Sequence, residues 1–400
     1  MKNFLQTFFT SGLILFGVIL FTGCDSDEDD PGPQLTGNSK EYMLRSVSNP
    51  AISGTVTFAE RDDDMVVITI ELNGTAAGNS HPAHIHANSA AEGGSIVLDL
   101  ENVDGGSGMS ETVVDALNDG TAITYDDLLN FDGYVNVHLS SSELATLIAQ
   151  GDIGSNELTG EKKEYTMIPV ADPSVSGKVI LEKRKNGTTL VTIDLEGTQA
   201  DASHPAHFHS NTIAETGPIV IGLTNVDGTT GMSRTSVEAL NSGTAITYEE
   251  LLNFNGYVNV HTGATFVAQV DIGQNELTGD KKEYTLNEVN ESGVSGKAIF
   301  EKRKNGKAQV TLDLDGTVDG GDHPAHIHSN DVATGGGIVV DLKNVNGATG
   351  KSVTSVSKKR DDTEISYDEL MTFNGHINVH MSPDDLPTLI VRGNIGSNAP

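Results

Sequence analysis

Tryptophan is absent from this 400-residue sequence, cysteine occurs once, and aromatic residues make up only 5%. A single thiol forms no intramolecular disulfide and builds no cysteine-rich metal site. Basic residues are also few. The 24 Lys and Arg stand against 56 Asp and Glu, a formal net charge of -32. Phosphate binding draws on clustered Lys and Arg, and no basic stripe occurs, so nucleic acid is not an expected partner. Acidity of this kind suits solubility at a cell surface. What the sequence does have is 44 glycines and many β-branched residues, a mix that favours short strands and tight turns over long amphipathic helices. The length suits two to four domains, each able to bury a core.

The one sustained apolar run, residues 13–21, follows Lys2 and is too short to span a bilayer comfortably. It ends in Phe21-Thr22-Gly23-Cys24, which resembles a bacterial lipobox, although that motif usually has Leu where Phe21 stands. The resemblance implies a signal peptide over 1–23 and lipidation of Cys24, the only cysteine. The expectation is an exported protein anchored to the outer membrane, with exposure on the cell surface as its further form. Residues 24–36 read as an acidic tether, because a block of Asp and Glu followed by Pro31-Gly32-Pro33 does not pack. The same block resembles the acidic export signal of some surface lipoproteins, and it also reads as a plain linker.

Self-comparison reveals a repeat. Gly37-Asn38-Ser39-Lys40-Glu41-Tyr42 recurs 123 residues on as Gly160 to Tyr165, and 119 further on as Gly279 to Tyr284. Repeats of this size are whole domains rather than solenoid units. The expected division is 37–159, 160–278 and 279–400, and the four residues missing from the second copy fall after His261. The seams are short, which implies units that touch, in a semi-rigid array. Within a copy, Met65 to Leu72 alternates and stops at Asn73-Gly74, a turn signal. Residues 95–100 and 133–138 are further strands. Thr124, Thr247 and Ser366, each followed three residues later by a carboxylate, predict one short capped helix per copy. The fold class is all-β: three tandem domains, each a β-sandwich or an open barrel with one short helix.

Twelve of the thirteen histidines fall on one recurring framework, so their placement is not incidental to composition. His81-Pro82-Ala83-His84-Ile85-His86 is followed 52 residues later by His138. The same spacing joins His204, His207 and His209 to His261, and His323, His326 and His328 to His380. Alternate side chains of a strand share a face, so His84 and His86 project together, as do Tyr134, Asn136 and His138. If the two strands are neighbours, three imidazoles meet. Three neutral imidazoles suit Zn, Cu or Ni, and the candidate metal ligands are His84, His86, His138, His207, His209, His261, His326, His328 and His380. Cu or Zn, one per domain, is the expected cofactor. His81, His204 and His323 precede prolines and remain possible additional ligands, together with His376, which replaces Tyr134 and Tyr257 in the third copy. Asn88, Asn136, Asn211, Asn259, Asn330 and Asn378 are candidate supports around the ligands. Asp99 becomes Gly222 in the second copy and is not proposed as a ligand. A metal-free reading stands beside this one: a hydrogen-bonded histidine cluster that fixes strand register.

Ala83-His84-Ile85-His86, Tyr134-Val135-Asn136-Val137-His138 and the closing Arg392-Gly393-Asn394-Ile395 resemble the CHRD domain, a module first described in chordin. The resemblance covers most of each copy. It implies an immunoglobulin-like β fold and no established reaction. The family's Pro-Gly-Gly-Glu stretch is missing, and the second copy closes on Gln269-Val270-Asp271-Ile272 instead. Three functions remain: a non-catalytic binding lipoprotein with a histidine site per domain, a copper superoxide dismutase-like enzyme, and a metal-free adhesion module. Against the enzyme, no recurring Arg lies near the histidines to guide an anion, and the negative charge would slow one. The expected partners are the membrane, through Cys24, and an extracellular protein or glycan.

Overall fold

Alternation of apolar side chains becomes strand structure throughout. Val66, Ile68, Ile70 and Leu72 are buried and their neighbours are less so, the pattern of a strand with one face on a core. The computed structural model describes residues 32–399. The proposed signal segment, Cys24 and the tether through residue 31 lie outside the described residues. Among the described residues no helix is long and apolar enough to cross a membrane.

The first third holds β1 (Leu35–Ser46), β2 (Ser53–Arg61), β3 (Val66–Asn73), β4 (Ser80–Ala87), β5 (Ile96–Asp104), β6 (Met109–Val114), α1 (Tyr125–Leu129), β7 (Asp132–His138) and β8 (Leu147–Gly154). These strands form one antiparallel sheet in the order β5-β4-β7-β8-β1-β2-β3-β6. In the last third the equivalent strands follow the same order and close into a barrel, where Asn346 pairs with Lys351. Closure removes the sheet edges. In the middle third the sheet divides into five and four strands. There the first strand is interrupted between Leu158–Thr166 and Ile168–Pro169. Pro169 stands where Ser46 and Glu288 stand in the other copies, and it has no N–H for the ladder. The sheets are thus barrel-like, one of the two architectures expected.

Each third packs its own hydrophobic cluster: one around Phe58, Ile85 and Val135, one around Phe208 and Val258, one around Phe300, Ile327 and Ile377. Burying each such side chain stabilises the fold by roughly 1.5–3 kcal/mol. The short helix is present in every third. Thr124, Thr247 and Ser366 accept from the backbone N–H of Asp127, Glu250 and Glu369, whose carboxylates reach back to the cap N–H. These reciprocal bonds satisfy donors that a five- or six-residue helix would otherwise leave open.

Candidate metal centre

Strand pairing decides which histidines meet. In β4 and β7, His84 lies opposite Asn136 and His86 opposite Tyr134. Ala83, Ile85, Val135 and Val137 fill the core, so His84, His86 and His138 take the outer face of the same sheet. Register shifts fall at Ile85/His86 against β5 and at Val137/His138 against β8. Both recur in the other copies, at Phe208/His209 and Val260/His261, and at Ile327/His328 and Val379/His380. Such bulges re-aim a side chain beside a site.

In the first third, one nitrogen each of His84, His86 and His138 lie within 4.8 Å of one another, and His326, His328 and His380 do the same in the last. His84 Nδ1 is 3.1 Å from His138 Nε2, and His326 Nδ1 is 3.0 Å from His380 Nε2. Backbone carbonyls fix two of the three tautomers. His86 Nδ1 donates to Gly94 O at 3.0 Å and His138 Nδ1 to Leu144 O at 2.5 Å. A carbonyl only accepts, so these rings carry their proton on Nδ1 and present an Nε2 lone pair inward. His328 to Gly336 O and His380 to Leu386 O repeat the pattern. Gly94 has a steric reason to be glycine: a Cβ there would sit 1.9 Å from Ala87 O.

His84 is the hinge between the two readings of the cluster. If it donates from Nδ1, it closes a hydrogen bond to His138. If its proton sits on Nε2, a third lone pair turns inward and the trio becomes a cation site. Asp99 Oδ1 lies 3.8 Å from His84 Nε2, and Asp341 Oδ1 lies 3.7 Å from His326 Nε2, so a negative charge favours the proton on that side. Asn118 holds Asp99 and Arg360 holds Asp341. Burial, then the neighbouring imidazole, lowers the His84 pKa, and burial is also the main cause for His138 and His380. His326 is lowered to about 4 by burial and then by His380. Neutral imidazole is the form that ligates a metal.

The last third differs in one respect. In the first, Gln150 Nε2 donates to Asn136 Oδ1 at 2.9 Å and turns the Asn136 amide toward His86 Nε2, 3.4 Å away. Gln269, Asn259 and His209 repeat this at 2.7 and 3.3 Å. In the last third Arg392 occupies the Gln position and donates to Val332 O instead. His328 Nε2 and Asn378 Oδ1 are then buried without a hydrogen-bond partner. His376 donates to or accepts from nothing in the trio: its Nδ1 bonds Asn330 O at 2.9 Å, and its ring stacks on His328 at 5.1 Å.

The middle third does not close a trio. His207 Nδ1 is 3.2 Å from His261 Nε2, yet the three ligand atoms do not gather within 4.8 Å. Its loop after the last histidine is the short one, and His261 Nδ1 bonds Gly263 O, two residues on. The His207 and His261 rings lie at 29°, against 61° and 66° for the outer pairs.

His81, His204 and His323 stand apart from the trios. His81 Nδ1 lies 2.9 Å from Leu139 O, His323 Nδ1 2.8 Å from Met381 O, and His204 Nδ1 2.7 Å from Thr262 Oγ1. They brace the segment that follows the last histidine, through a backbone carbonyl in the outer copies and the Thr262 hydroxyl in the middle one. Asn88, Asn211 and Asn330 bond no ring of the trios through their side chains either. They adopt positive φ and their amides donate to Gly93 O, Thr216 O and Gly335 O, shaping the loop that delivers the tethering carbonyl. Sequence reasoning missed Asp99 and Asp341 as neighbours of the site, and missed Gln150 altogether. The signal was cross-strand: Asp99 lies opposite His84, and Gln150 opposite Asn136.

No match is found among the curated proteins. Among solved structures, a "Biofilm associated protein - BSP domain" is 12% identical, covering 90% of this chain and 81% of that one, with a TM-score of 0.13, too low to carry an argument. A family model does match, that of the CHRD domain, at residues 34–143 and 155–266. The two matched segments each run from the first strand of a copy through its histidines and together span more than half of the sequence. The chain belongs to the CHRD domain family.

Proposed function

We propose that this chain is an exported surface lipoprotein of three CHRD-type units, acting as a non-catalytic binding module. Two of the units, the first and the last, carry a three-histidine site for a Cu or Zn ion. The observation that carries this reading is the convergence of His326, His328 and His380, with two tautomers fixed by carbonyls and the His328 Nε2 lone pair buried without a partner. An orphaned buried acceptor aimed into a set of ligand atoms is costly unless something fills the place. The division into 37–159, 160–278 and 279–400 is supported by three separate hydrophobic clusters and by strand order repeated in each.

Metal analysis of the full chain tests the sites. About two equivalents of Cu or Zn should bind, one for each closed trio, by the ligand count such ions take. Both should disappear when His84, His86, His326 and His328 are changed to Ala. Sub-stoichiometric metal that persists in that variant would instead support the metal-free cluster. For the middle unit that second reading has its own observation, since His207 Nδ1 closes on His261 Nε2 at 3.2 Å while the three ligand atoms do not gather. The anchor has a separate test: palmitate labelling in cells should be lost in Cys24→Ala.

A further inference from the structure

An arginine recurs at the end of the second strand of each copy, as Arg61, Arg184 and Arg303. The two later ones are the largest fully buried side chains among the described residues. Each crosses to the unit before it. Arg303 Nη1 is 2.7 Å from Asp271 Oδ2 and also donates to Asn275 O, while Nη2 donates to Gln309. Arg184 Nη2 is 3.0 Å from Asp152 Oδ2. The hairpin tip beyond each arginine adds a matching set of bonds. Lys185 and Asn186 donate their backbone N–H to Glu157 O and Ser155 O at 2.9 Å, and Lys304 and Asn305 donate theirs to Glu276 O and Gln274 O at 3.0 Å. Asn186 Nδ2 bonds Asn156 Oδ1 and Asn305 Nδ2 bonds Asn275 Oδ1. The two joints share this hairpin contact and the ion pair; they differ at the guanidinium, where Arg303 makes three hydrogen bonds and Arg184 makes none.

The outer faces of the first and last units depart from this pattern at the contact positions. The tip of the first unit reads Asp62-Asp63-Asp64 where the others read Lys-Asn-Gly, and Arg61 is occupied by Asp63, at 3.0 and 2.7 Å. At the far end Asn394 replaces Asp152 and Asp271, and Ala399 replaces Glu157 and Glu276. Asn394 Oδ1 still accepts from Val332 N at 2.8 Å, as Asp152 does from Ala90 N and Asp271 from Ile213 N. The oxygen kept is the one that serves its own unit. The one lost is the one that would receive the arginine of a following unit. Burial pushes the Asp152 and Asp271 carboxyls up while the arginines pull them back, so a carboxylate here without its arginine would be a buried unpaired charge. Asparagine is neutral.

We propose that Arg184 on Asp152 and Arg303 on Asp271 form a head-to-tail docking joint, and that Asp62 to Asp64 and Asn394 with Ala399 are stops that prevent a second copy of this chain from docking in the same way. The proposal rests on the division into three units and is independent of any metal. A head-to-tail contact that does not close into a ring propagates unless its outer faces are disabled. The sequence disables both.

Two measurements on the full chain test it. One variant restores the head (Asp62→Lys, Asp63→Asn, Asp64→Gly) and another restores the tail (Asn394→Asp, Ala399→Glu). Mixed at up to about 100 μM, since the contact lacks the effective concentration that a linker gives, they should sediment as a complex. The complex should be lost when Arg61→Met is added to the head variant, and the unaltered chain should remain monomeric. A mixture that stays monomeric with native circular dichroism overturns the docking surface, and self-association of the unaltered chain overturns the stops. Within the chain, Asp271→Asn with Arg303→Met should speed amide exchange at Lys304 and Asn305 at least tenfold while leaving the His326 strand unchanged. Unchanged exchange at those two amides overturns the joint.

Discussion

The middle histidine cluster and the outer two have the same residues at the same spacing, yet only the outer two gather three ligand atoms. Two differences separate them. The loop after His138 spans residues 139–146, and the one after His380 is of similar reach, so a carbonyl six residues on, Leu144 or Leu386, can hold the last ring edge-on to its neighbour. After His261 the chain turns at once, Gly263 supplies the carbonyl, and the ring lies closer to parallel with His207. The outer sites also have Asp99 or Asp341 behind the first histidine, where the middle one has Gly222. A histidine motif is therefore not a site until its second partners orient the rings.

The largest effect that would break this contrast is removal of a ligand. His328→Ala should abolish metal binding in the last unit, a loss greater than the roughly 100-fold that marks the upper range for an outer partner. His209→Ala should leave the metal content of the chain unchanged. Titration calorimetry with Cu or Zn on the full chain reads both. Equal losses from the two variants would erase the distinction between the units.

Acid should separate the units next. In metal-free protein His326 is neutral to about pH 4, while the unfolded chain takes up a proton near 6.5. Between those values the unfolded state binds more protons, so stability is full above pH 6.5 and falls as the pH drops toward 4. The shift corresponds to about 3 kcal/mol by 1.36 kcal/mol per pKa unit, and to less once solvent screening of this half-buried ring is counted. Hydrogen exchange in the last unit across that window should record the fall, and His326→Gln should lessen it, leaving the part due to His376 and His380. Saturating metal should also shift the loss to lower pH, because ion and proton compete for the same lone pairs.

Much of this was legible in the sequence, and the boundary follows the range of the interaction. The helices were readable because Thr124 and Asp127, or Ser366 and Glu369, act within three residues. The shared face of His84 and His86 followed from strand periodicity alone. The Gly94 and Leu144 carbonyls, the bulges at His86 and His138, and the approach of Asp99 were not readable, because each depends on which residue a neighbouring strand or loop places opposite. The four-residue deletion after His261 was visible, but its effect on the ring was not. His81 and its equivalents stay open as possible additional ligands in the sequence for the same reason. The Pro beside each gave no sign that the ring bonds the segment past the last histidine, at a backbone carbonyl for His81 and His323 and at the Thr262 hydroxyl for His204. The short seams imply units in contact, while nothing in the local pattern around Arg61, Arg184 or Arg303 marks these side chains as crossing a seam.

Grafting tests whether the loop and the carboxylate are the missing parts. Replacing residues 262–265 with the segment 139–146 and adding Gly222→Asp gives the middle unit the tether and the outer partner of the first. Metal capacity should rise by one equivalent, with affinity at least about tenfold above the parent middle unit, the lower bound for restored outer partners. With the loop alone the gain should be smaller, because His207 would lack the carboxylate that favours its Nε2 proton. No gain from the combined graft would place the cause elsewhere in the middle sheet, at its division beside Pro169.

The smallest effect concerns the two outer sites themselves. Arg392 leaves Asn378 unheld and His328 Nε2 without a partner, whereas Gln150 steers the Asn136 amide toward His86 Nε2. An amide hydrogen bond to that lone pair must be given up before the nitrogen can bind an ion, and a net bond of this kind is worth about 0.5–1.5 kcal/mol. Arg392→Gln should therefore weaken metal binding in the last unit by about threefold to tenfold, through RT ln K. Gln150→Arg should strengthen it in the first by a similar factor. The metal-free chain should respond in the opposite direction, since the same hydrogen bond that competes with the ion satisfies a buried acceptor. Arg392→Gln should then melt higher without metal and gain less on adding it. A variant that weakened both binding and metal-free stability would show that Arg392 supports the loop through Val332 O more than it frees the histidine.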